Sequence, residues 1–454
     1  MNDFERVSRN IVRTFYDPLP TNDSNEPIWL LGQCYESRPP LPKPTPGDSP
    51  SADTPAPPID RTEDESWIRT SIDEKDRRES PNGDDPTQYG NWPSAFLDDF
   101  ESRIWMTYRS GFVAIQKSQD PKATSAMSFR VRVQNLTSPG FTSDTGFGCM
   151  IRSGQCILAN ALQTLRLGRH WRYQDDATAK PHGEILSLFA DDPKAPFSIH
   201  RFVEHGAAVC GKYPGEWFGP SAAARCIQDL VNKHKEAGLR VYISGDGADV
   251  YEDKLKQIAI EDDGVWHPTL ILVGTRLGID KITPVYWEAL KASLQLKQSI
   301  GIAGGRPSAS HYFVGTQANH FFYLDPHSTR PLLPYRPPLS TPNSSTTSST
   351  TRVAPANEIV ATPESIHTSS YSPEDLSTCH TRRVRRLQIR EMDPSMLLAF
   401  LVTSQEDYNN WKEGVRNVQG KCVVHVQDKM PTPRGEEREG AIDEVESWDE
   451  EGLQ

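Results

Sequence analysis

The sequence predicts an α+β fold in which a long helix packs against a mostly antiparallel sheet. Apolar residues recur at helical spacing from residue 151 to residue 165 until Gly168 offers a stop, so a helix begins close to residue 149. Two apolar runs flank a turn candidate within residues 311–324 and predict a β-hairpin. The continuously apolar run at residues 269–273 is typical of a buried strand.

The other regular elements alternate between helices and strands. Residues 221–237, led by Pro220, and residues 284–296 are predicted helices. Ser404 is the predicted cap of a last helix, with Asp407 at the return position of a capping box. The predicted strands outside the hairpin are residues 239–243, 269–273 and 299–302.

Three segments have the composition of disordered chain rather than of a packed domain. Residues 38–92 and 336–380 are rich in Pro, Ser and Thr, and residues 431–454 are an acidic tail. What remains is predicted to be a single domain. Its parts are an N-terminal arm with the first core segment (1–37), the main core (93–335) and a C-terminal part (381–430).

The net charge of −12 comes from two of these segments. Residues 38–92 carry 7 basic and 12 acidic side chains, a balance of −5, and residues 431–454 carry 2 basic and 9 acidic ones, a balance of −7. The rest of the chain is therefore near neutral. Because no concentrated basic face remains for phosphate groups, nucleic-acid binding has no support.

Membrane segments, disulfides and metal sites have no signature in the sequence. No run of eighteen apolar residues occurs and residues 1–6 are charged, so we expect neither a transmembrane helix nor a signal segment. The seven cysteines are scattered without a Cys-x-x-Cys pair, which favours a reducing compartment and argues against a disulfide framework and a zinc site. We therefore expect no metal ion and no cofactor.

Cys149 is the first candidate for chemistry, because it lies where the long predicted helix begins. Unpaired amide N–H groups and the helix dipole at that end favour negative charge, so a cysteine there is biased toward the thiolate that attacks carbonyl carbon. Gly146 and Gly148 leave room beside it for a substrate backbone. A buried structural cysteine is the alternative interpretation.

A carboxylate and an imidazole stand two positions apart where the predicted hairpin ends. In extended backbone these positions face the same side, so Asp325 and His327 project together, with Pro326 fixing the backbone between them. A carboxylate beside a histidine holds its tautomer and stabilises the imidazolium, as in the base half of a catalytic triad. The same tripeptide is also typical of a turn that closes a hairpin.

His311 is a second candidate for the base. It opens the first strand of the predicted hairpin, and residue pattern alone favours it as much as His327. His320, at the end of the hairpin turn, is interpreted as a surface histidine.

At this point the sequence resembles the autophagins, papain-like cysteine proteases of the cytosol that mature and delipidate the ubiquitin-like modifier of autophagy. The resemblance is discontinuous, follows the order of the family and spans well over half of the chain. The matching blocks are EPIWLLG (26–32), SRIWMTYR (102–109), TSDTGFGCMIRSGQ (142–155), GEWFGP (215–220), RLG (276–278), GGRPSASHYF (304–313), DPH (325–327) and MDPS (392–395).

The resemblance implies a catalytic role for three residues. Cys149 would be the nucleophile, His327 its base and Asp325 the orienter of His327. It thereby decides between the two histidines, since His327 has a carboxylate two residues away and His311 does not.

The resemblance also implies the surroundings of the reacting atoms. Tyr108 would help to form the oxyanion hole, with the backbone N–H of Cys149 as the second donor. Trp217 would cover the site next to the glycine of the substrate. Pro307 would lie in a mobile loop that lifts when a narrow substrate tail enters.

The function implied is that of a cysteine endopeptidase on a papain-like α+β fold. It would cut after a glycine near the C-terminus of the ubiquitin-like modifier and hydrolyse the amide that joins this glycine to phosphatidylethanolamine. Its partners would be the free and the lipid-conjugated modifier and, transiently, the membrane surface that carries the conjugate. The protease itself would be a cytoplasmic monomer recruited to autophagosomal and pre-autophagosomal membranes, and nuclear presence is left open.

Two other functions compete with this expectation. One is a papain-like deubiquitinase that uses His311 as its base, and the other is a non-catalytic protein that binds the modifier without cutting it.

The N-terminal arm contains a candidate docking motif. Tyr16 and Leu19 have the spacing of an aromatic and an aliphatic side chain that enter two pockets beside an exposed strand edge, and Asp17 adds the acidic charge that basic pockets favour. Packing of both side chains on the domain's own core fits the pattern at least as well.

Overall fold

The computed structural model describes residues 19–37, 89–173, 179–245, 247–261, 264–306, 309–337 and 371–430. Tyr16 and Pro307 lie outside these residues, so the docking motif and the mobile loop stay predictions. Leu19, the second residue of the motif, is half-buried.

The strands of the described residues form three sheets. In chain order they are β1 (Ile28–Leu30), β2 (Gln33–Tyr35), β3 (Arg109–Gln116), β4 (Gly140–Ser143), β5 (Arg240–Ile243), β6 (Asp249–Tyr251), β7 (Thr269–Arg276), β8 (Ser299–Arg306), β9 (Ala309–Gln317), β10 (His320–Leu324), β11 (Arg330–Pro331), β12 (Arg385–Gln388), β13 (Ser395–Val402) and β14 (His425–Gln427).

The described residues also form α-helices. They are α1 (Ser94–Glu101), α2 (Lys122–Ala126), α3 (Phe129–Gln134), α4 (Cys149–Leu167), α5 (Ala179–Ser187), α6 (Ile199–Val209), α7 (Pro220–Lys233), α8 (Glu252–Ala259), α9 (Trp287–Gln295), α10 (Pro373–Ser377) and α11 (Gln405–Arg416). Within the part of the chain that is described, no helix has the length and apolar character needed to cross a bilayer.

The large sheet carries the fold. Its main strands follow the order β12-β10-β9-β8-β13-β7-β5, and β1 attaches to β9. Neighbours in this order pair antiparallel except β5 and β7, which are parallel. Helix α4 packs across β8 and β9. The prediction of an α+β fold with a long helix on a mostly antiparallel sheet is thus confirmed.

Both faces of the large sheet are covered, and β13 shows why its sequence is continuously apolar. Leu397 and Leu401 belong to the buried cluster on the α4 side of the sheet. Leu398 and Phe400 alternate with them and belong to the cluster on the opposite side. A strand buried on both faces has no position for a polar side chain, which is the pattern that the sequence displays.

Most predicted elements are present, but their ends differ from the predicted ends by a few residues. The predicted helix at residues 221–237 is α7, followed by a 3₁₀ turn at Lys235–Ala237. The predicted hairpin is β9 and β10, which pair from Gln317 and His320 outward.

The predicted cap of the last helix is present with one difference. Ser404 Oγ accepts the N–H of Asp407 over 3.0 Å. The carboxylate of Asp407 accepts the N–H of Thr403 over 2.9 Å, one residue earlier than a capping box requires.

The described residues resume at residue 89, before the predicted end of the first insertion. Trp92, assigned by composition to the segment 38–92, is only 2% exposed. Its indole N–H donates to the carbonyl of Pro20 over 3.0 Å. Composition does not reveal this contact, because one aromatic anchor hardly alters the composition of a polar segment.

The end of the second predicted insertion is likewise among the described residues and contacts the core. Within the segment 336–380, the hydroxyl of Tyr371 donates to the carbonyl of Pro334 over 2.7 Å. His380 is buried, and its Nε2 lies 2.9 Å from Nε2 of His182. These contacts fasten the segment that contains α10 to the core.

Candidate active site

The chain enters α4 through a turn that depends on two glycines. Gly146 has φ of +95°, a left-handed conformation that only glycine adopts without strain. The N–H of Gly148 donates to the carbonyl of Asp144 over 2.9 Å. A Cβ on Gly148 would stand 2.8 Å from Cγ of Asp144, so the glycine is sterically required. Cys149 then begins the helix and is almost completely buried.

A buried network of ions holds this turn in place. Arg152 contacts Asp144 and Asp191, each over 2.8 Å. Asp144 also accepts the N–H of Arg109 over 2.7 Å, and Asp191 accepts that of Leu333 over 2.8 Å. Burial lowers the pKa of Arg152, but the two carboxylates outweigh it and raise the pKa, so the guanidinium stays charged. The turn is thereby tied to β3 and to the chain after β11.

The carboxylate and imidazole predicted to project together lie just after β10. Nδ1 of His327 is 2.5 Å from Oδ1 of Asp325, which also accepts the backbone N–H of His327 over 3.0 Å. Two hydrogen bonds from another segment of the chain hold this backbone in place. The indole of Trp105 donates to the carbonyl of Asp325, and the N–H of Tyr108 donates to that of Pro326, each over 2.8 Å.

The side chains of Cys149 and His327 are hydrogen-bonded, and this interaction moves the pKa of each group away from its usual value. Burial raises the pKa of Cys149, but the hydrogen bond and charge of His327 outweigh it and lower the pKa. Burial lowers the pKa of His327, but the hydrogen bonds to Asp325 and Cys149 outweigh it and raise the pKa to about 10. These two pKa shifts favour a thiolate–imidazolium pair at neutral pH.

Three donors converge on the sulfur from other elements. The indole N–H of Trp217 lies 3.1 Å from Sγ of Cys149, and Trp217 is 38% exposed. The phenol of Tyr108 and the backbone N–H of Ser310 also bond to the sulfur. Burial, followed by the charge on Cys149, raises the pKa of Tyr108, so the phenol stays a neutral donor.

His311 lies beside the same carboxylate but in a different state. Its Nε2 is 3.9 Å from Oδ1 of Asp325, and its ring meets the edge of Tyr323 at 4.5 Å between centroids. Burial lowers the pKa of His311 to about 4, although the charge of Asp325 opposes it. Because the imidazole that bonds to Cys149 is that of His327, the geometry favours His327 over His311 as the base.

The residues brought together match those named from the sequence, with additions. Tyr108, Trp217 and His327 lie at Cys149 and Asp325 contacts His327, whereas Pro307 lies outside the described residues. The N–H of Ser310 and the ions around Arg152 were not foreseen. The one available signal in the sequence was Arg152, a charged residue in the first turn of the predicted helix.

Two groups of described side chains have ligand atoms within 4.8 Å of one another, as a metal ion would need. They are His311, Asp325 and His327, and His205, Cys210 and Cys226. The first group already contains the hydrogen bond that orients His327.

In the second group, Cys210 is hydrogen-bonded to the guanidinium of Arg225, a cation that disfavours a divalent ion at the same sulfur. Neither group gives grounds for assigning an ion.

A thiol at a helix start, bonded to a histidine that a carboxylate orients, defines a cysteine protease site on a papain-like fold. The family model of the peptidase C54 catalytic domain matches residues 93–414 of this chain. The chain belongs to this family of cysteine proteases, the autophagins, as the resemblance in the sequence predicted.

Individual relatives agree with this membership over almost their whole length. The probable cysteine protease ATG4 of Phaeosphaeria nodorum is 78% identical, with 100% of both chains covered. The probable cysteine protease atg4 of Sclerotinia sclerotiorum is 53% identical and covers 99% of this chain and 97% of its own. The cysteine protease ATG4 of Pyricularia oryzae is 46% identical, with coverages of 98% and 96%.

Proposed function

We propose that this protease cuts after a glycine in the C-terminal region of a ubiquitin-like autophagy modifier and also hydrolyses the amide between that glycine and phosphatidylethanolamine. The observation that carries the proposal is the contact between Trp217 and Cys149. With its N–H 3.1 Å from the sulfur, the indole lies over the nucleophile, so a side chain on the residue at the cut site would meet the ring. Glycine has no side chain and passes.

The proposed chemistry assigns a role to Cys149, Tyr108, His327 and Asp325. The thiolate of Cys149 attacks the glycine carbonyl, a C–S bond forms, and the oxygen becomes an oxyanion. The phenol of Tyr108 and the free N–H of Cys149 at the helix start donate to that oxygen. His327, held by Asp325, gives its proton to the departing amine as the C–N bond breaks.

Hydrolysis of the thioester completes the cycle. A water molecule gives a proton to His327 and attacks the carbonyl carbon, the C–S bond breaks, and Cys149 returns as thiolate. The departing amine is that of the next residue in the precursor and that of ethanolamine in the lipid conjugate. Because both bonds are amides of the same glycine, one site performs both reactions.

The place of action is part of the proposal. The names of the relatives, cysteine protease ATG4, support autophagy as the process and its ubiquitin-like modifier as the partner. All seven cysteines are free thiols, which suits a cytoplasmic enzyme. The membrane would be reached when lipid-conjugated substrate is present there.

A panel of substrates assayed with the purified full-length chain tests the proposal. The panel contains the modifier fused at its C-terminus to a reporter, the same fusion with leucine for the glycine, a ubiquitin fusion, and the modifier conjugated to phosphatidylethanolamine on vesicles. We expect cleavage of the first and last and little of the others. Faster cleavage of ubiquitin would indicate a deubiquitinase, and binding of the modifier without cleavage would indicate a non-catalytic protein.

The variant Cys149→Ser is the control for the nucleophile. It should bind the modifier but lose several powers of ten in rate, since a triad acts as a unit. Cleavage within about tenfold of the wild-type rate would refute the assignment of Cys149.

A further inference from the structure

We propose that the apolar ridge formed by Phe129, Val133 and Leu136 is a lipid-contacting surface that seats the protease on the bilayer carrying its substrate. The inference rests on the proposed hydrolysis of the phosphatidylethanolamine amide. It assigns a role to a feature that the proposed chemistry does not use.

The ridge is apolar and open to solvent. Phe129 is 75% exposed, Val133 56% and Leu136 81%. Phe129 and Val133 are four residues apart on α3 and therefore share a face of the helix, and Leu136 follows two residues after its end. Adjacent large apolar side chains with this exposure are typical of a surface that contacts a partner or a membrane.

The opposite side of α3 is fixed to the two loops that form the site. A methyl group of Val131 lies 3.1 Å from where a Cβ on Gly146 would stand, three residues before the nucleophile. The sulfur of Met127, just before α3, lies 2.9 Å from the corresponding point on Gly215, two residues before the indole. The ridge is thus attached to the rim of the active site.

The chemistry of the conjugate requires a bilayer at this rim. The amide nitrogen that leaves in the proposed reaction is separated from the lipid phosphate by only two carbons. When the glycine carbonyl reaches Cys149, the headgroup and the surface of its bilayer must lie close to the mouth of the site. A side chain on the rim that can enter the headgroup region would stabilise this arrangement.

Charge favours a lipid over a protein as the occupant. Residues 117–136 contain four basic side chains and one acidic one. Of these, Lys122 and Arg132 are exposed on the segment that carries the ridge. An apolar face flanked by basic side chains is typical of short helices that lie in the interface of membranes with anionic lipid.

The test compares one reaction in solution with one on a membrane, using the full-length chain. The ridge variant combines Phe129→Ser, Val133→Ser and Leu136→Ser. The matched control is Ile279→Ser, because Ile279 is an exposed apolar residue (80%) outside the ridge. The substrates are the soluble modifier fusion and the lipid-conjugated modifier on vesicles of phosphatidylcholine, phosphatidylethanolamine and phosphatidylinositol.

We expect the ridge variant to cleave the soluble fusion within about twofold of the wild-type rate and the membrane-bound conjugate about tenfold more slowly. Co-sedimentation of the protein with the vesicles without conjugate should fall in parallel. Ile279→Ser should match the wild type in each assay. Arg132→Glu should weaken co-sedimentation with the vesicles that contain phosphatidylinositol more than with vesicles of phosphatidylcholine alone.

Two results would overturn the inference. An equal loss on the soluble and the membrane-bound substrate would show that the ridge contacts the modifier protein, and an unchanged rate on the conjugate would show that it contacts neither. Failure of the proposed function looks different. In that case the wild type cleaves neither substrate, while loss of vesicle binding by the ridge variant would still support the lipid contact.

Discussion

Nε2 of His311 lies 3.9 Å from Oδ1 of Asp325, the same oxygen that Nδ1 of His327 contacts at 2.5 Å. Two imidazoles thus face one carboxylate, and they differ in charge at neutral pH. Burial lowers the pKa of His311 to about 4, whereas the hydrogen bonds of His327 raise its pKa to about 10 against the effect of burial. At neutral pH the carboxylate therefore stabilises a single imidazolium.

Asp325 and His327 are predicted to act as a unit. Asp325→Asn, His327→Ala and the double variant should each lose roughly 10⁴ in kcat, because a base without its orienter adopts the wrong tautomer. Cleavage of the soluble fusion measures the effect. His311→Gln should keep most activity. A dead His311 variant beside an active His327→Ala variant would show that His311 is the base.

The pH profile of kcat/KM should be bell-shaped and wide. The alkaline limb should lie near pH 10, where His327 loses its proton, and the acid limb below the ordinary thiol pKa of about 8.5, where Cys149 gains one. Asp325→Asn should move the alkaline limb to lower pH, because the hydrogen bond that raises the pKa of His327 is weakened. An alkaline limb near neutrality in the wild type would contradict the ion pair.

Trp217 should set the requirement for glycine. Trp217→Ala should narrow the ratio of kcat/KM between the glycine and the leucine fusion, because the cover over the sulfur is gone. Trp217→Phe keeps an aromatic cover without the N–H donor, so it should keep the selectivity and change only the rate. If the alanine variant remains as selective as the wild type, another part of the groove excludes side chains.

The buried ions around the turn before Cys149 should matter for stability far more than ions on the surface. Arg152→Met leaves two buried carboxylates without their partner and should lower the free energy of unfolding by about 3–5 kcal/mol. Arg201→Met removes an exposed contact with Glu204 and should change it by less than about 1 kcal/mol. Urea unfolding of both variants measures the difference, and similar small effects would refute it.

The pair His182 and His380 should make the fold sensitive to acid. Burial lowers the pKa of His182 to about 3, and burial together with the charge of His182 lowers that of His380. Both pKa values are depressed, so stability is full above the ordinary pKa of about 6.5 and decreases as pH falls from there toward 3. Each histidine contributes up to about 1.4 kcal/mol per pH unit.

Urea midpoints at pH 7 and pH 5 test this expectation. His182→Asn should reduce the difference between the two midpoints, whereas His425→Gln, at an exposed position of β14, should leave it unchanged. An unchanged difference in the His182 variant would show that other groups take up the protons.

The parts of the site that follow from local pattern were predictable from the sequence. Helix α4 depends on a period within one segment, and the contact between Asp325 and His327 spans two positions of extended chain. The N–H of Ser310 reaches Cys149 only because β9 packs under α4, and no local pattern encodes that packing. Contacts between distant segments therefore do not follow from local pattern, and those of Tyr108 and Trp217 with Cys149 were expected only from the resemblance to the family.

The central position of β13 in the sheet has a consequence for folding during synthesis. This strand is the last of the large sheet along the chain, yet it pairs with β7 on one side and β8 on the other. All the reacting side chains have been synthesised once residue 327 is made, but the gap between β7 and β8 stays open until Val402 follows. We expect translation itself to delay activation, so that a nascent or prematurely terminated chain contains every catalytic group and hydrolyses nothing.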